Sequence, residues 1–106
     1  MQSKINVNKV KHYKIDWIHK WNDEYPYCYY IEVDSNNYEV KKLEKYQDGR
    51  VYYATDKEEK DTFLSPEPFY LKDYNSEDEN EIIKCVEISK EEFNKEWTNK
   101  PDWVIR

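Results

Sequence analysis

The sequence predicts an α+β fold: an antiparallel β-meander of four to five strands with a C-terminal helix packed on one face. Three observations carry that expectation. From Tyr13 to Ala54, β-branched and aromatic side chains alternate with other residues at the spacing of a pleated strand. Polar turn clusters interrupt the alternation at Asn22-Asp23-Glu24-Tyr25-Pro26, Asp34-Ser35-Asn36-Asn37 and Gln47-Asp48-Gly49-Arg50. Near the C-terminus, Ser89-Lys90-Glu91-Glu92 is a capping box, followed by Phe93 and Trp97 one helical turn apart.

The elements follow in order. Residues 1–10 read as a frayed lead-in to a single domain spanning 1–106. In the first strand Tyr13, Ile15 and Trp17 share one face, with Lys14 and Asp16 on the other. In the second, Tyr27, Tyr29, Ile31 and Val33 alternate with Cys28, Tyr30 and Glu32. The third starts at Tyr38 and runs to about Tyr46, with Lys41, Lys42, Glu44 and Lys45 giving it one wet face. Asp48-Gly49 between two extended runs predicts a type I′ hairpin, and Gly49 is the chain's one glycine. Val51-Tyr52-Tyr53-Ala54 returns as the fourth strand.

Ser65-Pro66-Glu67-Pro68 blocks both helix and interior ladder. Phe69, Tyr70, Leu71 and Tyr74 then suit a short helical turn capping the sheet. Ile82, Ile83, Cys85, Val86 and Ile88 predict a fifth strand, and the helix runs from the capping box to about Asn99. Pro101 ends it, leaving an apolar tail within 99–106. The oily side of the ribbon from Tyr13 to Ala54 is expected to be roofed by the segment around Phe93 and Trp97.

Aromatic residues make up 17% of the 106-residue chain, against 38% for all hydrophobic types. Each buried ring removes about 150–250 Å² from water, so a few large side chains can build the core. A chain of this size hides roughly two thirds of its unfolded surface. Most of the rings in Trp17–Tyr30 therefore read as core, with a minority facing outward as anchors.

The balance of 23 acidic against 17 basic residues, a net charge of −6, favours solubility and opposes nonspecific attraction to nucleic acid or anionic membrane. The N-terminus has no apolar run suited to a signal peptide, and no stretch approaches a membrane span. Two cysteines, Cys28 and Cys85, are too few for a disulfide framework and sit in apolar runs as small hydrophobes. Together these features indicate a cytoplasmic, non-membrane protein.

The residues offer little for catalysis. His12 and His19 lie seven apart, on opposite faces of a strand. A His19 base oriented by Asp23 or Glu24 would lack a nucleophile elbow, phosphate loop or oxyanion nest, and a bond from His19 across the sheet or to the Pro26 turn is the simpler reading. The expectation is no enzyme, no catalytic residue, no cofactor and no metal; the acidic runs lack the spacing and glycine of a calcium loop. Tyrosine platforms stack bases, but the basic cluster Lys41, Lys42, Lys45 and Arg50 is a weak phosphate signal in an acidic chain. Arg50 reads more simply as pairing across its hairpin with a Glu such as Glu44. Two acidic patches stand out: Asp56, Glu58, Glu59 and Asp61, and Glu77, Asp78, Glu79 and Glu81. Either can be a solvated loop or a surface for a cationic partner.

Four stretches occur in order: Tyr13-Lys14-Ile15-Asp16-Trp17-Ile18-His19; Tyr38-Glu39-Val40-Lys41-Lys42-Leu43-Glu44; Asp48-Gly49-Arg50-Val51; and Glu87-Ile88-Ser89-Lys90-Glu91-Glu92-Phe93 with Trp97. Over roughly residues 12–98 this pattern resembles a family of small uncharacterised bacterial domains. That family shows an early Trp-Ile-His, a Glu-Val-Arg-Lys-like strand, an Asp-Gly-Arg hairpin and a closing Ile-Ser-x-x-Glu-Phe helix with Trp. The chain departs from it at Glu59-Lys60-Asp61-Thr62-Phe63-Leu64, where the family carries a glycine. Small acidic domains of this kind look like the immunity proteins of bacterial polymorphic toxin systems. The resemblance implies a protein that binds a cognate toxin with a basic surface and occludes its active or substrate-binding surface. The partner face would draw on Asp23, Glu24, Tyr25, Asp56, Glu58, Glu59, Asp61, Glu77, Asp78, Glu79 and Glu81. The alternative is a regulatory or anti-defence module holding a small ligand or nucleic acid in a sheet-lined pocket.

Overall fold

The computed structural model describes residues 10–20, 24–57, 59–60 and 62–100. The expected lead-in, apart from Val10, and the tail beyond Lys100 lie outside the described residues. The strands are β1 (Lys11–His19), β2 (Cys28–Val33), β3 (Glu39–Lys45), β4 (Val51–Thr55), β5 (Glu59–Lys60), β6 (Ser76–Glu77) and β7 (Glu81–Ile88), followed by helix α1 (Lys90–Thr98). They form one sheet in the order β5-β4-β3-β2-β1-β7-β6, every neighbouring pair antiparallel. The α+β class and the meander β1–β4 match the expectation, but the strand count is higher. β5 and β6 are two-residue edge strands whose local sequences carry no alternation to announce them.

The turns show why the meander forms. Asp34 Oδ1 accepts the backbone N–H groups of Asn36 (2.9 Å) and Tyr38 (3.0 Å), and Asn37 takes a positive φ of 70°. This is the local side-chain bonding for which Asn and Asp are favoured in turns. The Gly49 hairpin differs from the type I′ expectation. Gly49 has φ 96°, but Asp48 is not in the positive-φ region. Gly49 N–H donates to Tyr46 O (3.1 Å), and Tyr46 N–H donates to Arg50 O (3.0 Å). The loop therefore has three residues, Gln47, Asp48 and Gly49, with glycine in the left-handed position after a turn. Arg50 also departs from expectation. Its Nε donates to both carboxylate oxygens of Asp48 (3.0 and 2.8 Å), and its guanidinium lies 4.5 Å from the Tyr46 ring centroid. Glu44 instead accepts from the Tyr46 hydroxyl and from Thr62 Oγ1.

The sheet is apolar on both faces, which corrects the single oily ribbon. One face carries Tyr13, Ile15, Ile31, Val33 and Cys85; the register sets Tyr13 opposite Ile31 and Ile15 opposite Cys85. The other carries Cys28, Tyr30, Leu43 and Tyr53, with Tyr30, Leu43 and Tyr53 in one row across three strands. Helix α1 covers only this second face. Phe93 is fully buried there and stacks on Trp97 at 5.8 Å, and Trp97 meets Tyr53 edge-on. The capping expectation holds: Ser89 Oγ accepts the Glu92 N–H at 3.0 Å.

The first face is covered by the chain between β5 and β6. These strands lie on opposite edges of the sheet, so residues 62–75 must cross it. Prolines keep that segment extended, and a 3₁₀ turn at Leu71–Tyr74 follows, close to the predicted helical turn. Phe69 packs on Tyr13 (4.6 Å) and stacks on Tyr74 (5.0 Å). This strap is tied down by Phe69 N–H to Asn37 O (2.6 Å) and by Ser65 N–H to Glu39 Oε1 (2.9 Å). With both faces covered, β3 has no wet face. Lys45 pairs with Glu96 at 3.0 Å and Lys41 sits over Trp97, both on the helix side, while Lys42 pairs with Glu39 at 3.2 Å on the strap side. Their aliphatic stems are half-buried and only their ammonium groups need a partner or water.

Cys28 and Cys85 are free and buried on opposite faces. Burial pushes the Cys28 thiol up to about 12, with Asp16 adding to the effect, and burial pushes Cys85 up to about 11.

Three outcomes follow from these contacts. Phe69→Ala and Phe93→Ala should each cost about 3–5 kcal/mol in urea denaturation, because each removes the central ring of one cover. A loss under about 1 kcal/mol for Phe69→Ala would mean that the strap covers nothing that matters. Gly49→Ala should cost about 1–2 kcal/mol through backbone strain, since no atom lies within 4 Å of a Cβ built there. Both thiols should resist iodoacetamide at pH 8 in the native state and react on unfolding. Because the folded values lie above the ordinary 9.0, their contribution to stability is complete below pH 9 and is lost as pH rises through about 11 and 12. A denaturant midpoint that stays level from pH 8 to pH 11 would contradict this.

Candidate functional site

The strand directions bring three connections to one end of the sheet. Asp16, Cys28, Lys45 and Val51 form a row at that end of β1–β4, and His19 pairs with Glu81 on β7. The β1–β2 connection, the β3–β4 loop and the β6–β7 turn therefore lie together. Backbone bonds from Trp17 N–H to Tyr27 O and from Tyr27 N–H to Lys45 O, both 2.9 Å, fix the first two against each other.

A ring cluster occupies this end. Trp17 and His19 point to the same face of β1, with ring centroids 4.5 Å apart, and Tyr25 meets both edge-on at 6.0 and 6.3 Å. Trp17 Nε1 donates to Glu81 Oε1 at 2.7 Å, which turns the indole toward β7. His19 Nε2 lies 3.0 Å from Pro26 O; a carbonyl only accepts, so this nitrogen carries the proton. That is the turn-anchoring role read from the sequence. Tyr25 is 48% exposed.

Acidic side chains lie at the same end of the sheet. Glu24, Asp78 and Glu79 are exposed and Glu81 is half-buried. Glu77 is exposed too, but it pairs with Ile82 opposite Ile18 and so faces away from Trp17 and His19. Two of the predicted partner residues have structural tasks as well. Asp78 Oδ1 accepts the N–H groups of Asn80 (2.7 Å) and Glu81 (3.0 Å), shaping the turn, while Glu81 holds Trp17. On the β3–β4 loop, the hydrogen-bonded Arg50 holds the Asp48 carboxyl below its ordinary value.

The structure separates the two acidic runs. The β4–β5 turn follows Thr55, which pairs with Lys41 at the opposite end of the sheet. Asp56 and Glu59 are exposed there, far from Tyr25. Asp23, Glu58 and Asp61 lie outside the described residues. The four basic residues of the nucleic-acid reading are divided too. Lys41 and Lys45 sit on the helix face, Lys42 is on the strap face and Arg50 is held by Asp48, so these four make no continuous phosphate track. Among the described residues, no His, Cys, Asp or Glu group of three or more is placed to hold a metal ion, and no helix is long and apolar enough to cross a membrane.

The second feature is a pocket whose lining the sequence reading did not name. Between the sheet and the strap, a cleft of about 270 Å³ opens beside Trp17, with Ile15 and Ile31 as its floor and Glu39 and Lys42 at its polar end. Burial raises the phenol of Tyr29 above its ordinary value, with Glu44 adding to the effect; burial raises that of Tyr74 as well. The signal that pointed here was the Glu39–Lys42 charge pair inside a β run. It reads as a wet strand face until the strap is known to cover it.

No curated protein and no solved structure matches the chain. A family described as "Domain of unknown function (DUF6881)" matches residues 11–102, which takes in every element from β1 to α1. The chain belongs to that family.

Proposed function

We propose that this domain is an immunity protein: a cytoplasmic binding protein that neutralises a cognate bacterial toxin domain by occluding its active or substrate-binding surface. The observation that carries the reading is the convergence at one sheet end of a half-exposed residue, Tyr25, with exposed acids at Glu24, Asp78 and Glu79, while Glu77 adds charge from the opposite face. An aromatic anchor backed by other rings is the usual centre of a protein interface, because it is rigid and sheds water over a large area. Acids around it accelerate encounter with a basic surface and set its orientation. Such a protein needs a stable scaffold and a complementary surface, and the doubly covered sheet provides a rigid base for both. The run at Asp56 and Glu59, at the other end, adds to the long-range field without sharing the contact.

Co-expression with the toxin domain encoded beside this chain tests the proposal. Growth should be rescued, and the two proteins should purify as a complex. Glu77→Lys/Glu79→Lys should slow association about tenfold or more at low salt, with the difference shrinking as salt rises. Tyr25→Ala should act mainly on dissociation and weaken the complex by about 2 kcal/mol or more. An unrescued strain with no complex would overturn the proposal.

A further inference from the structure

The cleft on the strap face has the parts of a small-molecule site. Its floor, Ile15 and Ile31, is buried, and its walls include the half-buried rings of Trp17, Tyr29 and Tyr74. About 270 Å³ is close to the lower limit of ligand pockets and suits a molecule of one or two rings. One end is polar, and its hydrogen-bonding groups are unevenly used. Glu39 Oε1 is engaged twice, by Ser65 N–H at 2.9 Å and by Lys42 Nζ at 3.2 Å. Lys42 has three N–H donors and, among the described residues, Glu39 is its one charged partner. The hydroxyls of Tyr29 and Tyr74 make no hydrogen bond within the described residues. Both phenols stay protonated, since burial raises them. The polar end therefore holds more unused donors, on Lys42, Tyr29 and Tyr74, than its one unused carboxylate oxygen, Glu39 Oε2, can accept.

Charge decides what kind of acceptor fits. Glu39 and Lys42 cancel, while Glu44 and Glu81 stand nearby on the same face, so a carboxylate would meet a negative field. A neutral acceptor meets no such penalty and satisfies groups that are otherwise costly to bury.

We infer that this cleft binds a small, flat, uncharged aromatic molecule that carries one hydrogen-bond acceptor, with its ring against Ile15, Ile31 and Trp17 and its acceptor toward Lys42 and Tyr29. The cleft borders the Tyr25 end only through Trp17, and its binding is read on the free protein, so its failure and the failure of the toxin-binding proposal are distinguishable.

Acetophenone, which has one ring and one carbonyl, is the probe. Titration into isotope-labelled protein should shift the Trp17 indole N–H and the Ile15, Ile31 and Ile83 methyl signals saturably, with a Kd on the order of 1 mM for a ligand this small. Benzoate should bind at least about tenfold more weakly. Ile83→Trp, which fills the cleft from β7, should abolish the shifts. Glu39→Gln/Lys42→Met keeps an acceptor for Ser65 and removes the charges; it should weaken acetophenone about tenfold if its spectrum remains that of the folded protein. If that variant unfolds, the Ile83→Trp and benzoate results decide alone. Shifts that do not saturate, that persist in Ile83→Trp, or that are matched by benzoate would overturn the inference.

Discussion

A sheet with large rings on both faces has to be covered twice. That constraint governs the rest of the molecule. β1 and β2 put Tyr13, Ile15, Ile31 and Val33 on one side and Cys28 and Tyr30 on the other, and each side loses hydrophobic free energy if left in water. A single nine-residue helix covers only one of them. The second cover is the irregular strap from Thr62 to Asn75, whose prolines and few regular hydrogen bonds would be poor building material without the sheet beneath it.

The strap is held less by its own backbone than by side chains reaching up from the sheet. Glu39 is the centre of that arrangement. Its carboxylate is nearly buried and would be expensive there alone, but it accepts from Ser65 N–H and pairs with Lys42. Asn75 Oδ1 performs the reciprocal task at the far side by accepting the N–H of Cys85, next to the short strand β6. The charges of β3 thus lie beneath the two covers, with Glu39 buried and the lysines half-buried. Lys45 with Glu96 and Lys41 over Trp97 tie β3 to the helix, as Glu39 with the Ser65 N–H ties it to the strap.

Covering the sheet twice leaves two places where its chemistry remains open. At the end where three connections meet, Tyr25 stands out from Trp17 and His19 beside exposed acids, the surface we propose for a basic partner. Beside it the strap does not quite close on Trp17 and Tyr29, and the gap is apolar with unused donors at one end. The two openings share Trp17, whose indole N–H is committed to Glu81 and whose ring borders both.

Local parts were legible from residue order: the alternation of β1 to β4, the Asp34–Asn37 turn, the bend at Gly49, the Ser89 cap and the Phe93–Trp97 stripe all rest on interactions within a few residues. His19 at the Pro26 turn was legible for the same reason. Contacts between residues far apart in the chain emerged only with the packed sheet. Period-two alternation says which side chains share a face but not what lies above it, so the roof of each face and the burial of Glu39 beside a half-buried Lys42 followed from packing. The Asp48 partner of Arg50 is local, two residues away, and came with the three-residue loop. The short strands β5 and β6 exist because a neighbour offers them a ladder. The division of the acidic runs between opposite ends, and the cleft under the strap, arise because the chain crosses the sheet between β5 and β6, a path that no local residue pattern specifies.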